Sequence, residues 1–149
     1  MSEYLMGIDA GTSSVRVALF DFRGQNRAYA VAEYGTTYPK NGWAEQSDTE
    51  WFDALKKAIP ECIKKAGIAA DNIAAITCDA TTNTLVYLDE NDTSVRPPIL
   101  WMDVRATEEA SFIDTIREEY DATKFYKPGF RADTMVPKCM WVKKNEPEN

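Results

Sequence analysis

Histidine is missing from this chain of 149 residues. Its absence excludes serine–histidine and cysteine–histidine nucleophile pairs and removes the commonest protein ligand of zinc. Cysteine is scarce, and Cys62, Cys78 and Cys139 are too widely spaced for a metal or redox motif. We predict that each is a small buried apolar residue, because free cysteine is usually buried. Free cysteines and the lack of a secretory segment predict a reducing, cytoplasmic setting.

Positive charge is also in short supply. The chain has 17 basic and 24 acidic residues, which gives a formal net charge of −7. Nucleic acids and anionic lipid surfaces attract basic proteins, so we expect neither as a partner. No apolar run approaches the roughly 20 residues that a membrane-spanning helix needs. An anionic ligand would therefore have to be held by local groups, against an unfavourable overall field.

Residues 5–16, LMGIDAGTSSVR, form the most informative stretch of the sequence. An apolar run ends at Asp9, a turn of small hydroxyl-bearing residues follows, and a second apolar run begins after Arg16. This pattern predicts a β-hairpin whose turn presents backbone N–H groups, hydroxyls, a carboxylate and a guanidinium. Such groups are what is needed to hold a metal-bound polyphosphate. The turn residues are Gly11, Thr12, Ser13 and Ser14.

The first third of the chain predicts three strands joined by short turns, which makes them antiparallel. A helix is expected to begin at Ser47, because Ser47 and Glu50 have the spacing of a capping box. Apolar residues then recur with helical spacing as far as Gly67, a natural stop. Pro60 lies inside this pattern and is expected to kink or split the helix. The three strands are predicted at residues 4–9, 15–22 and 28–34.

Further apolar runs follow, and several of them end in an aspartate. Asp9, Asp79 and Asp103 each come directly after such a run. Ligands of open sheets flanked by helices lie at the carboxyl ends of strands, so three carboxylates there suit a cation and a polyhydroxylated substrate. The alternative is that strand ends are polar anyway and that aspartate caps turns and helices. The elements predicted here are a buried strand at 73–78, strands at 84–88 and 99–101, and helices over 106–120 and from Pro137 onward.

The stretch from Asp9 to Arg16, Asp-x-Gly-Thr-(Ser/Thr)-Ser-x-Arg between apolar strands, resembles the first phosphate motif of the actin, heat-shock chaperone and sugar-kinase superfamily. Three more segments are similar to those of one branch, the FGGY carbohydrate kinases, and keep that family's order. They are GWAEQ at 42–46 followed by Trp51, RPPILWMDVR at 96–105, and PKCMWVKKNEP at 137–147. The resemblance implies an α/β fold, a ribonuclease-H-like domain with a mixed sheet flanked by helices. It implies that residues 1–149 are the N-terminal, incomplete portion of the first domain, without the second, nucleotide-binding domain.

The resemblance also implies an activity and a set of roles. FGGY kinases phosphorylate sugars, ketoses and polyols with ATP and Mg²⁺. By position, Asp9 would orient the metal, through water, and Arg16 would lie against the phosphates. Both would act as catalytic groups in a reaction that depends mainly on positioning and on stabilising charge. The residues that would cradle the phosphates of ATP are Gly11, Thr12, Ser13 and Ser14.

The sugar would be bound by the end of the strand after Cys78 and by the segment around Trp101, which offers an apolar face to a carbon skeleton. Arg105 has two interpretations, a hydrogen bond to the sugar or a brace for the following helix. The stretch DATTN at 79–83 departs from the xylulose-kinase and glycerol-kinase patterns and is more similar to ribulokinase-type members, which favours a pentulose or pentitol such as ribulose. The expected substrate-binding residues are Asp79, Thr81, Thr82, Asn83, Trp101, Asp103 and Arg105.

In this family the aspartate that deprotonates the sugar hydroxyl lies beyond the matched segments, and Asp9, Asp79 and Asp103 do not correspond to it. We therefore expect residues 1–149 alone to be inactive, because a base must reach the hydroxyl that it deprotonates. Two alternatives stay open: a stand-alone, non-catalytic module that binds a sugar or an anion, and an interaction module from the actin and chaperone side of the superfamily. A homodimer of the full-length form also stays open.

Overall fold

A computed structural model describes residues 3–116 and 129–149. The chain folds into two units, each of which is described by itself. The first unit consists of residues 1–35 and 47–81, and the second of residues 36–46 and 82–149.

The first unit is built on a sheet of four strands in the order β3-β2-β1-β4. The two hairpins β1–β2 and β2–β3 are antiparallel, which confirms the prediction, and β4 runs parallel to β1. The sheet is therefore mixed. The strands are β1 (Tyr4–Ala10), β2 (Ser14–Asp21), β3 (Asn26–Glu33) and β4 (Ile73–Ala80).

One helix, α1 (Asp48–Ala66), packs against this sheet, and a 3₁₀ turn at Ala70–Asn72 leads into β4. Each large apolar side chain that is fully buried contributes about 1.5–3 kcal/mol, so this interface supplies most of the stability of the unit. Gly67 ends α1 with a φ of 67°, in the left-handed region, as predicted. The buried core consists of Met6, Val15, Val17, Leu19, Ala28, Ala30, Ala54, Ala58 and Cys62.

The capping box predicted at the start of α1 is wrong. The helix does begin after Ser47, but the Ser47 side chain makes no capping hydrogen bond. The Glu50 carboxylate instead accepts a hydrogen bond from the backbone N–H of Gly35 at 3.3 Å, so the capping box does not form. Pro60 does not split the helix, which is continuous through it, and the predicted kink at Pro60 stays a prediction. Pro60 is exposed, so the carbonyl that loses its helical partner can be hydrated while the buried face stays intact.

Strand β4 was expected to be buried, and this expectation is also wrong. Seven of its eight residues are exposed, and the side chain of Ile76 is 61% exposed. The strand pairs with β1 on one side only and forms the edge of the sheet. The apolar residues of β4 therefore go with its pairing to β1 and do not indicate burial.

The second unit contains two helices and a set of short backbone bridges. The helices are α2 (Thr107–Ile116) and α3 (Met135–Asn145), with Pro137 in the first turn of α3 as predicted. The predicted extension of α2 to Tyr120 falls outside the described residues. Residues 84–88 and 99–101 do not form regular strands in this structure and make only isolated antiparallel bridges, among them Leu85 to Ile99.

The three cysteines do not behave alike. Cys62 is buried in the core as predicted, whereas Cys78 and Cys139 are exposed, so the prediction is wrong for these two. Cys78 is exposed because it lies on the edge strand β4. Within residues 3–116 and 129–149, no helix has the length and apolar character that would let it cross a membrane.

Candidate functional site

The turn between β1 and β2 brings the predicted phosphate-binding residues together. Asp9 and Arg16 are directly opposite each other in the antiparallel register. The Arg16 guanidinium donates a hydrogen bond from Nη1 to Oδ2 of Asp9 at 2.8 Å, and the side chains are 42% and 47% exposed, respectively. This contact, with the charge of Asp9, raises the pKa of Arg16. The turn therefore carries an exposed ion pair that a ligand can reach.

The guanidinium of Arg16 lies over the backbone of Gly11. A Cβ atom at this position would be 2.9 Å from Nη1 of Arg16 and 3.4 Å from the carbonyl oxygen of Ser14. The N–H of Gly11 also donates to that carbonyl at 3.0 Å, which closes the turn. The missing side chain thus lets the guanidinium approach the backbone. Within the turn, Ser13 is exposed and Thr12 is half-buried, whereas Ser14 is buried and does not present its hydroxyl at the surface.

Tyr34 supports this turn from the far end of β3, and the sequence analysis did not identify it. Its hydroxyl donates to the carbonyl of Gly11 at 2.5 Å, and its backbone N–H donates to the carbonyl of Ser13 at 3.2 Å. Burial, with the nearby charge of Asp9, raises the pKa of the Tyr34 hydroxyl. Through these two contacts Tyr34 occupies carbonyl oxygens of the turn at Gly11 and Ser13.

A second carboxylate lies beside Asp9. Asp79 is its register partner across the parallel pair of β1 and β4, so the carboxyl ends of the two strands meet as expected. The backbone N–H of Thr81, just after β4, donates to the carbonyl of Ala10 at 3.3 Å and continues the pairing. An open cleft of about 350 Å³ adjoins these ends and is lined by Gly7, Ile8, Asp9, Arg16, Ala18, Tyr29, Thr77, Cys78 and Asp79.

The donor set of this cleft fits Mg²⁺. The described residues contain no group of three or more histidine, cysteine, aspartate or glutamate side chains that could hold a metal alone. Mg²⁺, however, usually takes only one or two protein carboxylates and completes its shell with water and substrate phosphates. Asp9 and Asp79 provide that number of carboxylates.

Asp103 and Arg105, two of the predicted sugar-binding residues, are fully buried in the second unit. The Asp103 carboxylate accepts hydrogen bonds from the N–H of Ala44 at 2.7 Å and from the backbone and guanidinium of Arg105 at 2.7–2.9 Å. Neither side chain therefore presents an atom at the surface, and direct contact with a sugar is not what this structure supports. In the part of the chain that the structure describes, the contacts of Arg105 are to Asp103, Glu45 and two tryptophans and not to the following helix α2, so its predicted role as a brace for that helix stays a prediction.

The two residues belong to a larger buried charge cluster. Glu45 accepts hydrogen bonds from Arg105 at 2.7 Å and from Arg96 at 2.5 Å. Arg96 in turn donates from Nη1 to both carboxylate oxygens of Glu146, each at 2.7 Å. The members of this buried charge cluster are Glu45, Arg96, Asp103 and Arg105, with the partly exposed Glu146 at its edge.

Two tryptophans enclose the guanidinium of Arg105. Its central carbon lies 3.9 Å from the ring centroid of Trp43 and 5.1 Å from that of Trp141. Nη1 of Arg105 makes no hydrogen bond to the residues that the structure describes, and such aromatic contacts stabilise a desolvated cation by up to about 2 kcal/mol. Burial alone would lower the pKa of Arg105, but the hydrogen bonds from it to Asp103 and Glu45 outweigh burial and raise it.

Three predicted sugar-binding residues, Thr82, Asn83 and Trp101, lie at the end of a short backbone ladder in the second unit. Leu85 and Ile99 exchange two hydrogen bonds of 2.9 Å, and the N–H of Trp101 donates to the Thr84 hydroxyl at 3.3 Å. This pairing brings residues 82–83 close to Trp101. Thr82 is exposed, Asn83 is half-buried, and Trp101 is 41% exposed.

Glu45, Arg96 and Lys138 were not identified individually from the sequence. Each nevertheless lies in one of the three segments, 42–46, 96–105 and 137–147, that resemble the kinase family. The segments that contain these three residues could therefore be recognised from the sequence, but the burial of their charges could not.

Comparisons with known proteins agree with the fold. The sequence model of the N-terminal domain of the FGGY family of carbohydrate kinases matches residues 4–149. A xylulose kinase from Staphylococcus epidermidis is 34% identical over 149 residues, covering 99% of this chain and 29% of that protein. A glycerol kinase from Oleidesulfovibrio alaskensis is 32% identical over 151 residues, covering 99% of this chain and 30% of that protein.

A solved structure shares the architecture. Ligand-bound xylulose kinase from Lactobacillus acidophilus matches with a TM-score of 0.81 at 26% identity, covering 97% of this chain and 29% of that one. The chain spans between 29% and 30% of the length of the relatives named above. On the match over residues 4–149 and the identity to two curated kinases, this chain belongs to the FGGY family of carbohydrate kinases.

Proposed function

We propose that the protein containing this chain transfers a phosphoryl group from ATP to a hydroxyl of a sugar or polyol, with Mg²⁺. The observation that carries the proposal is the β1–β2 turn, where an exposed Asp9–Arg16 pair lies beside the backbone of Gly11 and Asp9 is the register partner of Asp79. A turn formed for structural reasons alone would not need the ion pair. Membership of the kinase family supports the same reaction.

The turn residues would act by positioning and by charge. Mg²⁺, when bound with ATP, neutralises the phosphate oxygens and draws charge from the reacting phosphoryl group. Asp9 would orient the metal through water, with Asp79 beside it. Arg16 would exchange part of its contact with Asp9 for a phosphate oxygen, and Thr12 and Ser13 would supply hydroxyl and backbone donors. Ser14 would contribute through its backbone, because its side chain is buried.

We further propose that residues 1–149 do not catalyse the reaction by themselves. Asp9 is engaged by Arg16, and Asp103 is buried with its oxygens in use. Neither is free to take a proton from a sugar hydroxyl, and by family position none of the three strand-end aspartates is the base. The second, nucleotide-binding domain of the family would complete the active site.

The proposed substrate is a pentulose, either ribulose or xylulose. Two relatives named above are xylulose kinases, whereas the sequence of residues 79–83 is more similar to ribulokinase-type members. Trp101, being partly exposed, offers a face for the sugar carbons, and Thr82 and Asn83 offer groups for its hydroxyls. Discrimination between the two pentuloses would depend on a few such hydrogen bonds.

The test is ADP production by the whole protein with Mg-ATP and, separately, ribulose, xylulose, ribitol and glycerol. One pentulose should give a kcat/KM at least tenfold above the other three compounds. Asp9→Asn should lower kcat by about 10²–10³-fold, as is typical when a preorganised charge is lost. Asp53→Asn, on the exposed face of α1, is the matched control and should leave kcat unchanged.

Calorimetric titration with the same compounds distinguishes a kinase from a non-catalytic binding module. Binding of one sugar without any sugar-dependent ADP production by the whole protein would favour a non-catalytic binding module. Sugar-dependent ADP production by residues 1–149 alone would contradict the proposed need for the second domain.

A further inference from the structure

Lys138, on α3, is completely buried. A buried ammonium group is costly unless it is paired, and the usual partner is a carboxylate. Among the described residues Lys138 has no carboxylate within ion-pair distance. Its Nζ donates instead to two backbone carbonyls, that of Asn83 at 3.0 Å and that of Leu100 at 2.7 Å.

These two carbonyls belong to the two segments that carry the sugar-side residues. Asn83 has a φ of 57°, in the left-handed region, and follows Thr82 in the exposed turn. Leu100 directly precedes Trp101. The backbone bridge between Leu85 and Ile99 joins the same two segments, two residues after Asn83 and one residue before Leu100. Lys138 connects the segments beyond this bridge, on the side of Thr82 and Trp101. Its contacts therefore hold the exposed ends together.

We propose that Lys138 is a positioning residue for the substrate, because it sets the separation between the Thr82–Asn83 turn and Trp101. The inference depends on the proposed function, since it assigns a cause to the shape of the proposed sugar-binding surface of the second unit. Lys138 is buried and does not touch the sugar. It acts through the two carbonyls that it holds.

A lysine suits this task for two reasons. Its long apolar stem passes through the interior of the unit, and its terminal nitrogen supplies separate donors to two acceptors. Burial lowers the pKa of Lys138 to about 8, while Asp103 and Asp133 oppose this shift and Arg105 adds to it. A neutral amine still has two N–H groups, so both hydrogen bonds survive deprotonation.

The experiment compares Lys138→Met with the wild type in the whole protein. Methionine keeps an unbranched stem of similar length and removes both donors. We expect KM for the preferred pentulose to rise at least tenfold, with the KM for ATP unchanged and the preference between ribulose and xylulose reduced. Lys143→Met, an exposed lysine on the same helix, is the matched control and should leave all these values unchanged.

A second readout does not depend on activity. Amide hydrogen exchange in peptides covering 82–86 and 99–104 should become faster in Lys138→Met, while exchange in β1 and β2 should stay unchanged. A folded Lys138→Met protein with wild-type sugar KM and wild-type exchange in these peptides would overturn the inference.

A third variant covers the case in which Lys138→Met does not fold. Thr84→Val removes the acceptor of the Trp101 N–H, another link between the same segments, without leaving buried carbonyls unpaired. It should raise the sugar KM about threefold with the KM for ATP unchanged, and an unchanged sugar KM would count against the inference. If the wild-type protein phosphorylates none of the sugars, the proposed function fails first, and the exchange experiment still decides whether Lys138 holds the two segments.

Discussion

Asp9 and Arg16 in the turn of the first unit make a 2.8 Å ion pair, and Asp103 and Arg105 in the second unit make one of 2.7 Å. The two pairs differ in exposure. The side chains of the first pair are 42–47% exposed, and those of the second are completely buried. Nearly equal distances therefore go with different expected roles, because only the exposed pair can exchange a partner for a ligand.

The energetic consequences differ in the same way. An exposed pair is screened by water and contributes little to folding, so ligand binding can disturb it at small cost. A buried pair is strongly destabilised when one partner is removed, because the other charge is left without compensation. The buried charge cluster is thus expected to fix the shape of its unit, whereas the β1–β2 turn is expected to bind the phosphate-bearing ligand.

Arg105→Met should have the largest effect on stability. It leaves the carboxylates of Asp103 and Glu45 short of a partner in the interior, and we expect the free energy of unfolding to fall by about 3–5 kcal/mol. Urea denaturation followed by far-UV circular dichroism measures this. The control is Arg131→Met, which removes an arginine that is 73% exposed from its pair with Asp133 and should cost less than about 1 kcal/mol. Similar losses in both variants would remove the distinction between buried and exposed pairs.

The pH dependence of stability tests the buried lysine of the second unit. The pKa of Lys138 falls from the ordinary value of 10.5 to about 8 in the folded protein. Between these two pH values the unfolded chain binds one proton more than the folded one, so this group makes stability rise as pH increases. The gain should be on the order of 3 kcal/mol.

The measurement is the free energy of unfolding of the wild type minus that of Lys138→Met at several pH values. The difference should be constant below about pH 8 and should then become more favourable to the wild type up to about pH 10.5. Tyrosines and other groups titrate in both proteins and cancel. A flat difference across this range would show that Lys138 keeps an ordinary pKa in the folded state.

Gly11→Ala probes the exposed turn and should have a smaller effect on stability. The added methyl group would lie 2.9 Å from Nη1 of Arg16, so the guanidinium must move away from Asp9. We expect the free energy of unfolding to fall by about 1 kcal/mol, which is at the lower end of the range for overpacked sites. We also expect a clear rise in the KM for ATP. Gly35→Ala is the control, because its Cβ would be 3.9 Å from the nearest atom of Glu50 and both values should be unchanged.

Arg16→Gln should have the smallest effect on stability and a large effect on function. Because the Arg16 side chain is half-exposed, the urea midpoint should match that of the wild type within experimental error. The KM for ATP should nevertheless rise by tenfold or more, since a phosphate contact from a charged donor is lost. If the midpoint falls as far as in Arg105→Met, the turn pair is structural and the comparison made above is wrong.

Much of the first unit could be predicted from sequence, because its informative contacts are local. The β1–β2 turn needs only a few residues, and the register that places Asp9 opposite Arg16 follows from the turn length. Tyr34 could not be found in this way. Its hydroxyl reaches Gly11 from 23 positions along the chain, and nothing in the residues around Tyr34 indicates this contact.

The second unit was predicted less well, because the sequence gives the residue type and not its burial. Asp103 follows an apolar run exactly as Asp9 does, so both were assigned to a ligand, yet only Asp9 is accessible. The same limit applies to β4, whose apolar residues suggested burial although the strand lies at the edge of the sheet. Patterns along the chain identified the four strands of the sheet but also predicted strands at 84–88 and 99–101, which make only isolated bridges. What packs on a strand depends on distant segments.

The long sequence separation inside the charge cluster has a consequence for the order of events during protein synthesis. Glu45 leaves the ribosome 51 residues before Arg96 and 60 residues before Arg105, its two partners. At about 5–20 residues per second, its carboxylate stays without them for roughly 3–12 s. In that interval all four strands and α1 of the first unit, which end at Ala80, are already synthesised and free to pair. The chain can therefore form the exposed β1–β2 turn before the buried charge cluster of the other unit can close.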